Sequence, residues 1–426
     1  MGRGFFSSES LIAVRLLTRA DAPISDEFLR TRIGEAVRLR AEIFNLGRDG
    51  AQPDAGAAPE MSTKDQAMLA ELNRQITAIE SFAAQYGMNA LEETAELRKR
   101  RDNIARLAGE TPALREAAAS TTASRAKTTA YRLINSEGDG LGGLIVDVYG
   151  DYLSVQIGTA GMDRRADAIL NILEDLLHPA GIIDRGEAKS RQLEKLPPPK
   201  NGPLRGKAPD APFFVREYAL EMACDIRSGH SQKTGLYLDQ RENRRYIATF
   251  ARGRDVLDVF SYSGGFAIHA AKAGARSITL LDSSDEALGL AKANLERNGI
   301  ADADLVHAEW NEGFKHLREA GRQYGLIVLD PPKFARSRET APQALSGYRD
   351  LNAQAVRLLA PGGLLFTCSC SGSVNETDFE RTVAAALRSS GRRAVLLERR
   401  GAAPDHPIPP GFDQGRYLKC LLLQVV

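Results

Sequence analysis

The chain has 426 residues, enough for two or three domains of typical size, each with its own core. Apolar types make up 43% and charged types 26%, ordinary globular values that exclude a disordered chain or a miniprotein scaffold. The net charge of +1 excludes a generally polycationic protein, so nucleic-acid binding has to use a local patch. Four cysteines are too few for a disulfide framework and are typical of the reducing cytosol.

The sequence carries no sign of export or membrane insertion. No stretch reaches the roughly 18 consecutive apolar residues that cross a bilayer. The first residues lack the apolar segment of a signal peptide. We therefore expect a cytoplasmic protein that does not contact a membrane.

Residues 1–45 are predicted to form a strand and a helix. Residues 11–17 are strand-like, and residues 26–44 carry apolar side chains at helical spacing. A strand without a neighbour is marginally stable. This one is therefore expected either to pair with a distant strand or to follow an upstream domain that is missing from this chain.

Residues 46–127 are interpreted as a linker and an inserted helical hairpin. Residues 46–60 are rich in glycine, alanine, proline and aspartate and lack periodicity. Ser62 and Asp65 can form a capping box before a helix, and a break at Tyr86-Gly87 separates it from a second helix at 91–107. Such charged helices are usually solvated, so we expect a spacer or docking arm rather than a catalytic element.

Residues 128–222 are predicted to form a small α+β domain. Strands are expected at 131–135, 144–148, 152–157 and 181–183, and a helix at 163–177. The segment 185–207 contains seven lysines or arginines against two acids, with three consecutive prolines. It is either a solvated charged loop or a basic loop that faces RNA.

Residues 223–426 alternate between strand-like and helix-like segments, which predicts a doubly wound parallel α/β sheet. No helical segment separates the last two strand candidates, which favours an antiparallel pair at one edge of the sheet. The seven candidate strands are residues 255–260, 277–281, 304–307, 326–329, 364–370, 394–397 and 418–425.

The turn after the first of these strands is a candidate cofactor site. Gly264 and Gly265 stand where a backbone can approach a ligand as a helix begins, although such pairs also serve packing. Asp282, about twenty residues later, can accept hydrogen bonds from ribose hydroxyls. The turn lacks the G-x-G-x-x-G spacing that suits a pyrophosphate, which favours S-adenosylmethionine over NAD.

The fourth strand candidate ends in Asp330-Pro331-Pro332-Lys333-Phe334. Two prolines direct the chain outward at the carboxyl edge of the sheet, where open α/β sheets bind ligands. An aspartate in this position can bond the amide-like edge of a nucleobase. A purely structural end to the strand is the alternative.

The fifth strand candidate contains Cys368 and Cys370, which lie two apart and so point to the same face of an extended strand. A thiol at a strand end beside a cofactor site can act as a nucleophile, whereas a buried structural role is the commonest fate of a cysteine. That structural role suits Cys224 and Cys420. Zinc is disfavoured because C-x-C without a second spaced pair does not supply four ligands.

Several long motifs together resemble the RlmI group of class I S-adenosylmethionine-dependent 23S rRNA cytosine-5 methyltransferases. They are residues 233–241, 258–266, 330–334, 369–371, 405–407 and 417–419. The resemblance implies a Rossmann-like, seven-stranded class I methyltransferase domain after the small α+β domain and the helical N-terminal region. Two departures are expected: an N-terminal PUA domain, a small RNA-binding barrel, is missing, and the helical segment is inserted.

The resemblance also implies roles for individual residues. Cys370 is the expected nucleophile, with Cys368 as its competitor, and Asp330 holds the base. The implied S-adenosylmethionine-binding residues are Tyr262, Ser263, Gly264, Gly265, Phe266, Asp282, Glu309 and Asp330, with Glu309 standing where the family has an aspartate. The implied substrate-binding residues are Lys233, Arg241, Lys333 and Phe334, with Phe334 stacking on the base.

The implied partner is 23S ribosomal RNA, with no metal, and a homodimer stays open as the assembly. Two other functions also stay open. The first is methyl transfer to a guanine or adenine nitrogen, which needs no thiol. The second is a non-catalytic RNA-binding assembly factor, which the intact cofactor and cysteine motifs disfavour.

Overall fold

The computed structural model describes residues 4–6, 14–16, 24–44, 128–227, 235–334 and 339–426. The predicted linker and helical hairpin at 46–127 lie outside the described residues, as does Lys233. Among the described helices, none is both long and apolar enough to cross a bilayer.

The N-terminal residues form a local antiparallel pair followed by a long helix. Strand β1 (Gly4–Phe6) pairs with β2 (Val14–Leu16), so the predicted strand at 11–17 has a near partner rather than a distant one. Helix α1 (Asp26–Ile43) is capped at its N-terminus by Ser25, whose Oγ accepts a hydrogen bond from Phe28 N at 3.2 Å. Its buried face packs on the small domain.

The small domain is a five-stranded sheet in the order β3-β4-β5-β6-β7, and its core includes the buried faces of α1 and α3. The basic segment 185–207 contains a short helix and an edge strand as well as loop. The strands are β3 (Ala130–Asn135), β4 (Leu144–Tyr149), β5 (Tyr152–Ile157), β6 (Gly181–Asp184) and β7 (Pro203–Gly206), and the helices are α2 (Ala160–Asp163), α3 (Ala166–Leu177) and α4 (Ala188–Leu193).

A hairpin and one helix connect the small domain to the large sheet. Strands β8 (Phe213–Glu217) and β9 (Leu220–Cys224) pair antiparallel, and helix α5 (Arg241–Ala248) follows. The buried carboxylate of Glu217 accepts a hydrogen bond from Arg244 Nε at 2.7 Å and lies 2.9 Å from His269 Nε2. This network ties the hairpin to the helix that follows the first strand of the large sheet in the chain.

The large sheet has seven strands in the order β12-β11-β10-β13-β14-β16-β15. The strands from β12 to β14 pair in parallel, whereas β16 runs antiparallel to both β14 and β15. They are β10 (Asp255–Val259), β11 (Ser277–Asp282), β12 (Asp304–His307), β13 (Tyr324–Leu329), β14 (Leu359–Ser369), β15 (Ala394–Arg400) and β16 (Lys419–Val425).

Helices cover both faces of this sheet, so its strands are long apolar runs rather than alternating ones. This is the class I methyltransferase fold that the sequence predicts, with the last strand inserted beside β14. The helices are α6 (Gly265–Lys272), α7 (Asp285–Arg297), α8 (Trp310–Glu319), α9 (Ala341–Val356) and α10 (Glu376–Ser389).

A buried carboxylate joins the small domain to the domain of the large sheet. Both oxygens of Asp405 accept hydrogen bonds from Arg241 at 2.9 Å, and Oδ2 also accepts one from Arg132 N at 2.9 Å. Arg40 of α1 donates to the main-chain oxygen of Asp405 at 3.0 Å. Burial raises the pKa of Asp405, but Arg241 and His406 together outweigh it and hold the pKa well below its usual range.

Candidate active site

The strand order brings the predicted site residues to one edge of the large sheet. Strands β11, β10, β13 and β14 are neighbours and parallel, so their carboxyl ends meet there. Asp330 follows β13, and its N donates to Val259 O at 3.4 Å. Cys370 follows β14, and its Sγ lies 3.8 Å from the carbonyl oxygen of Pro331. The aspartate loop and the thiol are therefore adjacent.

The turn after β10 adopts an unusual backbone. Phe260, Tyr262 and Gly264 have φ of 61°, 47° and 75°, a region that costs free energy for the two residues with side chains. Asn294 Nδ2 holds the turn by donating to Ser263 O at 3.0 Å, and Tyr262 N donates to Asp282 Oδ2 at 2.9 Å. The surrounding structure thus imposes the conformation, as is common where a ligand binds.

The glycine pair is required by packing inside the chain. A Cβ on Gly264 would lie 3.1 Å from Leu280 Cδ2, and one on Gly265 would lie 2.6 Å from Arg244 Cδ. Arg244 itself is fixed because it bonds Glu217 and also donates to Tyr237 O at 3.1 Å. The packing explanation of this pair, open from the sequence, therefore accounts for both glycines.

Asp282 and Glu309 stand at the ends of successive strands. Each oxygen of Asp282 accepts one backbone N–H at 2.9 Å, from Tyr262 and from Ser284. Glu309 is exposed at the N-terminus of α8, and its side chain makes no capping hydrogen bond. The side chain of Phe266, unlike that of Glu309, is buried, and its ring centroid lies 5.8 Å from that of Phe366. Its backbone faces the turn.

The two cysteines on β14 have different environments. Both side chains belong to the same side of the sheet, in agreement with strand alternation. Cys368 is fully buried opposite Cys420, and burial raises the pKa of its thiol well above the usual range. Cys370 is partly exposed. Accessibility therefore favours Cys370 over Cys368 as a nucleophile.

A matching sequence profile and close relatives now identify the family. The profile, described as S-adenosylmethionine-dependent methyltransferase, matches residues 193–424. Ribosomal RNA large subunit methyltransferase I of Aeromonas salmonicida is 40% identical over 298 residues, which span 70% of this chain and 74% of that protein. The protein of the same name from Shewanella amazonensis is 41% identical over 300 residues, 70% and 75% of the two chains. The chain belongs to the S-adenosylmethionine-dependent methyltransferase family.

Solved structures share the fold of this methyltransferase. A methyltransferase complexed with SAH superposes with a TM-score of 0.62 at 23% identity, over 74% of this chain and 81% of that chain. An S-adenosylmethionine-dependent methyltransferase from Streptococcus mutans gives a TM-score of 0.61 at 23% identity, with the same coverage. At this identity the likeness shows the fold alone.

S-Adenosylmethionine is the cofactor of the methyltransferase, and the carboxyl edge of the sheet fits it. Asp258, on β10, is 1% exposed, and its Oδ2 accepts a hydrogen bond from Ala267 N at 3.0 Å. Its Oδ1 and Ser261 Oγ are buried without a hydrogen-bond partner among the described residues. Burial raises the pKa of Asp258 to about 8, and the nearby carboxylates of Asp330 and Asp282 act in the same direction. Two buried oxygen atoms without partners, with the carboxylates of Asp330 and Asp282 nearby, suit a ligand with cationic groups.

Asp258 was not among the residues singled out from the sequence. It was included in the motif at 258–266, but an aspartate inside an apolar strand gives no sign of which atoms lack partners. The signal that could have found it is a charged residue within a buried parallel strand, which is costly unless it is paired or functional.

A second group that sequence reasoning missed surrounds the thiol. The Tyr348 hydroxyl lies 3.0 Å from Ser369 Oγ and 3.1 Å from Ser371 Oγ, the two residues that flank Cys370. The Tyr348 ring also packs on Phe334, with centroids 4.7 Å apart. One buried tyrosine on α9 thus holds the loops that carry Cys370 and Asp330.

The residues predicted to bind the substrate differ in their accessibility. Lys333 is exposed and Phe334 half-buried beside the site, so both can still meet a substrate. Arg241 cannot, and this prediction is wrong: its side chain is fully buried, it pairs with Asp405, and it lies 4.6 Å from the Phe44 ring centroid. Arg241 binds a carboxylate inside the protein rather than a phosphate.

Proposed function

We propose that this methyltransferase transfers a methyl group from S-adenosylmethionine to carbon 5 of a cytosine in large-subunit ribosomal RNA. The observation that carries the proposal is the partly exposed thiol of Cys370, 3.8 Å from Pro331 O at the edge where Asp330 ends β13. Methyl transfer to an exocyclic or ring nitrogen needs no such thiol. The names of the relatives supply the ribosomal substrate.

The thiol solves a chemical problem of carbon 5, which is a weak nucleophile. When the Cys370 thiolate adds to carbon 6, a C–S bond forms and the electron pair of the C5–C6 double bond moves to carbon 5. S-Adenosylmethionine, when bound, would supply the electrophilic methyl group to carbon 5; its sulfonium–methyl bond breaks as the new bond forms, and S-adenosylhomocysteine is left. Transfer of the carbon 5 proton to a base restores the double bond and expels the Cys370 thiolate, so the enzyme is regenerated.

Asp330 is proposed to hold the polar edge of the cytosine while the thiolate adds. It lies at the same edge as Cys370, and the two prolines after it limit the movement of its backbone. Phe334 and Lys333 follow in the same loop, and we propose that they contact the base and its phosphates. Lys233 is proposed as a further RNA contact from the sequence motif alone.

The cofactor is proposed to lie across the ends of β10, β11 and β12. Asp282 would accept hydrogen bonds from ribose hydroxyls, and Glu309 would face the adenine. The Asp258 and Ser261 acceptors without partners would meet the cationic methionine part. The residues of the proposed cofactor pocket are Asp258, Ser261, Tyr262, Ser263, Gly264, Gly265, Phe266, Asp282, Glu309 and Asp330.

The basic segment 185–207 is the proposed RNA-binding surface of the small domain. Its three arginines are engaged within the protein, Arg185 with Arg227 O at 2.7 Å, Arg191 with Asp163 and Arg205 with Asp167. Its lysines are exposed to solvent, and exposed lysines near a nucleic acid bind phosphates and release counterions. They are Lys189, Lys195, Lys200 and Lys207.

A covalent trap tests the reaction. The protein is incubated with labelled S-adenosylmethionine and ribosomal RNA that contains 5-fluorocytosine, whose fluorine blocks the final elimination. We expect a labelled protein–RNA complex on a denaturing gel. Cys370→Ala should abolish the complex and methyl transfer while cofactor binding, measured by calorimetry, survives.

Cys368→Ala is the matched control, because it removes a thiol from the same strand face but from a fully buried position. We expect it to keep forming the complex. A complex that forms equally well with Cys370→Ala contradicts the mechanism. Methyl groups found on a guanine or adenine nitrogen contradict the proposed target.

A further inference from the structure

A buried lysine lies behind the proposed nucleophile. Lys419 is 5% exposed, although lysine is among the residues that are least often buried. Its Nζ donates hydrogen bonds to the main-chain oxygens of Ser371 and Tyr417, each at 2.7 Å. Within the described part of the chain, no carboxylate forms an ion pair with it. A buried ammonium without a counter-ion is costly, so its retention needs a reason.

The contacts of Lys419 bracket Cys370. Lys419 is paired with Ser369 in the antiparallel register of β14 and β16, and its side chain bonds the carbonyl of Ser371. Cys370 is the residue between those two. The pairing with Ser369 starts the Lys419 side chain on the face of the sheet opposite to Cys370, and the bond to Ser371 O holds the ammonium beside the residue that follows Cys370.

Several groups lie close enough to influence the Lys419 ammonium. Of these, Cys370 is the one at the active site that can become negatively charged. Burial lowers the pKa of Lys419 to about 8, while Cys370, Cys420 and Glu376 oppose this and Lys333 adds to it. Cys420 is buried in the apolar core, and Glu376 is exposed and 3.7 Å from Arg399.

The thiol also needs a positive neighbour. Asp330 lies at the same edge of the sheet, and a carboxylate beside a thiol disfavours the thiolate. Lysine or arginine next to a cysteine has the opposite effect, because the positive charge stabilises the ionised form. An ammonium fixed by two carbonyls can do this without occupying the face of Cys370 that meets the base.

We infer that the Lys419 ammonium is the counter-ion of the Cys370 thiolate, so that Lys419 is a positioning residue that keeps the nucleophile ionised. The inference rests on the proposed function, since it assigns a purpose to the ionised thiol. Lys419 does not touch the substrate in this arrangement and acts only through Cys370.

The test measures the thiol itself and needs no RNA. The rate at which iodoacetamide alkylates Cys370 is followed from pH 6 to pH 10, with the modified residue identified by mass spectrometry. The other three cysteines are buried, so Cys370 is the one that reacts in the folded protein, and Cys370→Ser verifies the assignment. We expect wild-type Cys370 to titrate below the ordinary thiol pKa of about 8.5.

Lys419→Met keeps the length of the side chain and removes the charge. We expect its Cys370 to be alkylated about tenfold more slowly at pH 7, which corresponds to about one pKa unit. Methyl transfer should fall with it and recover partly at higher pH, whereas Lys419→Arg should stay closer to wild type. Lys315→Met, an exposed lysine on α8, is the matched control and should not change the profile.

Equal alkylation profiles for wild type and Lys419→Met overturn the inference. If Lys419→Met does not fold, a wild-type Cys370 that titrates at or above about 8.5 overturns it as well. The proposed function fails separately. A shifted profile without any 5-fluorocytosine complex supports the ion pair and overturns the cytosine mechanism, whereas a complex with an unshifted profile overturns the ion pair alone.

Discussion

The hydroxyl of Tyr348 lies 3.1 Å from Oγ of Ser371 in the buried layer beneath the active-site edge. The same hydroxyl accepts a hydrogen bond from Ser369 Oγ at 3.0 Å, and the tyrosine ring packs on Phe334. A single side chain from α9 therefore fixes two loops that come from different strands. The relative position of the thiol and the aspartate loop depends on this contact, since nucleophilic attack requires tight alignment.

Tyr348→Phe should slow methyl transfer without weakening cofactor binding. The change removes both hydroxyl bonds but keeps the ring that packs on Phe334, so the loop of Cys370 loosens while the fold persists. We expect a loss of about tenfold in kcat, equivalent to about 1.4 kcal/mol. Steady-state kinetics and calorimetry with S-adenosylmethionine measure the two quantities.

Tyr324→Phe is the control for that experiment. It also removes a buried hydroxyl bond, to Thr279 Oγ1 at 3.3 Å, but at the amino end of β13, away from the active-site edge. We expect its kcat to match wild type. An equal loss in both variants contradicts a specific role for Tyr348 and indicates general loosening of the sheet.

Gly265→Ala should destabilise the protein and weaken cofactor binding. The new methyl group would lie 2.6 Å from Arg244 Cδ, and Arg244 cannot move freely because Glu217 holds its guanidinium. Overpacking of this kind costs about 1–3 kcal/mol. Thermal unfolding and a cofactor titration measure both effects.

Gly289→Ala is the control for Gly265→Ala, and we expect it to raise the stability rather than lower it. Gly289 lies inside α7, and a Cβ there meets nothing within 4 Å. Alanine should therefore raise the stability by about 0.5–1 kcal/mol, as expected for a glycine removed from a helix interior. Equal behaviour of the two variants would mean that the packing of Arg244 does not require Gly265.

The order of strands and helices in the catalytic half could be predicted because a sheet covered on both faces has continuous apolar strands. Each of its seven predicted strands overlaps an observed one. The insertion of β16 between β14 and β15 could not be predicted, since the order of strands within a sheet leaves no local pattern in the sequence. The near partner of the strand at 11–17 was missed, and a distant partner or an upstream domain was expected instead, because the short strand at Gly4–Phe6 gives a weak signal.

The individual contacts were the least predictable part of the site. Arg241 was expected to bind the substrate because the motif at 233–241 resembles that of the family, and a guanidinium binds phosphates and carboxylates well. Its partner is Asp405, 164 residues away in the sequence, so only the folded chain reveals that the guanidinium is occupied. Tyr348 on α9 and Lys419 on β16 contact the residues that flank Cys370. Tyr348 lies in no motif, and the motif at 417–419 that contains Lys419 does not mark a role beside the thiol. The strand ends, by contrast, were visible because topology alone brings them together.

Asp405→Asn should destabilise the protein strongly. The amide leaves the buried Arg241 guanidinium without its counter-charge, and removal of one partner of a buried ion pair costs about 3–5 kcal/mol. Asp175→Asn is the control, because it breaks the exposed pair with Arg30, worth less than about 1 kcal/mol. Urea unfolding measures both free energies. Equal small losses would mean that Asp405 does not hold the small domain and the catalytic sheet together.

Asp258→Asn should make the cofactor-free protein less sensitive to rising pH. The pKa of Asp258 is raised to about 8 in the folded state, mainly by burial, against about 3.9 in the unfolded chain. Between these values the folded protein holds a proton that the unfolded chain has lost, so the free energy of unfolding falls as the pH rises through this window. Asparagine does not titrate and can still accept the hydrogen bond from Ala267 N. Each pH unit in this window costs the wild type about 1.4 kcal/mol, so the variant should gain about 3–4 kcal/mol relative to wild type between pH 5 and pH 8, as measured by urea unfolding at each pH. Parallel curves for the two proteins would show that Asp258 is ionised in the absence of cofactor.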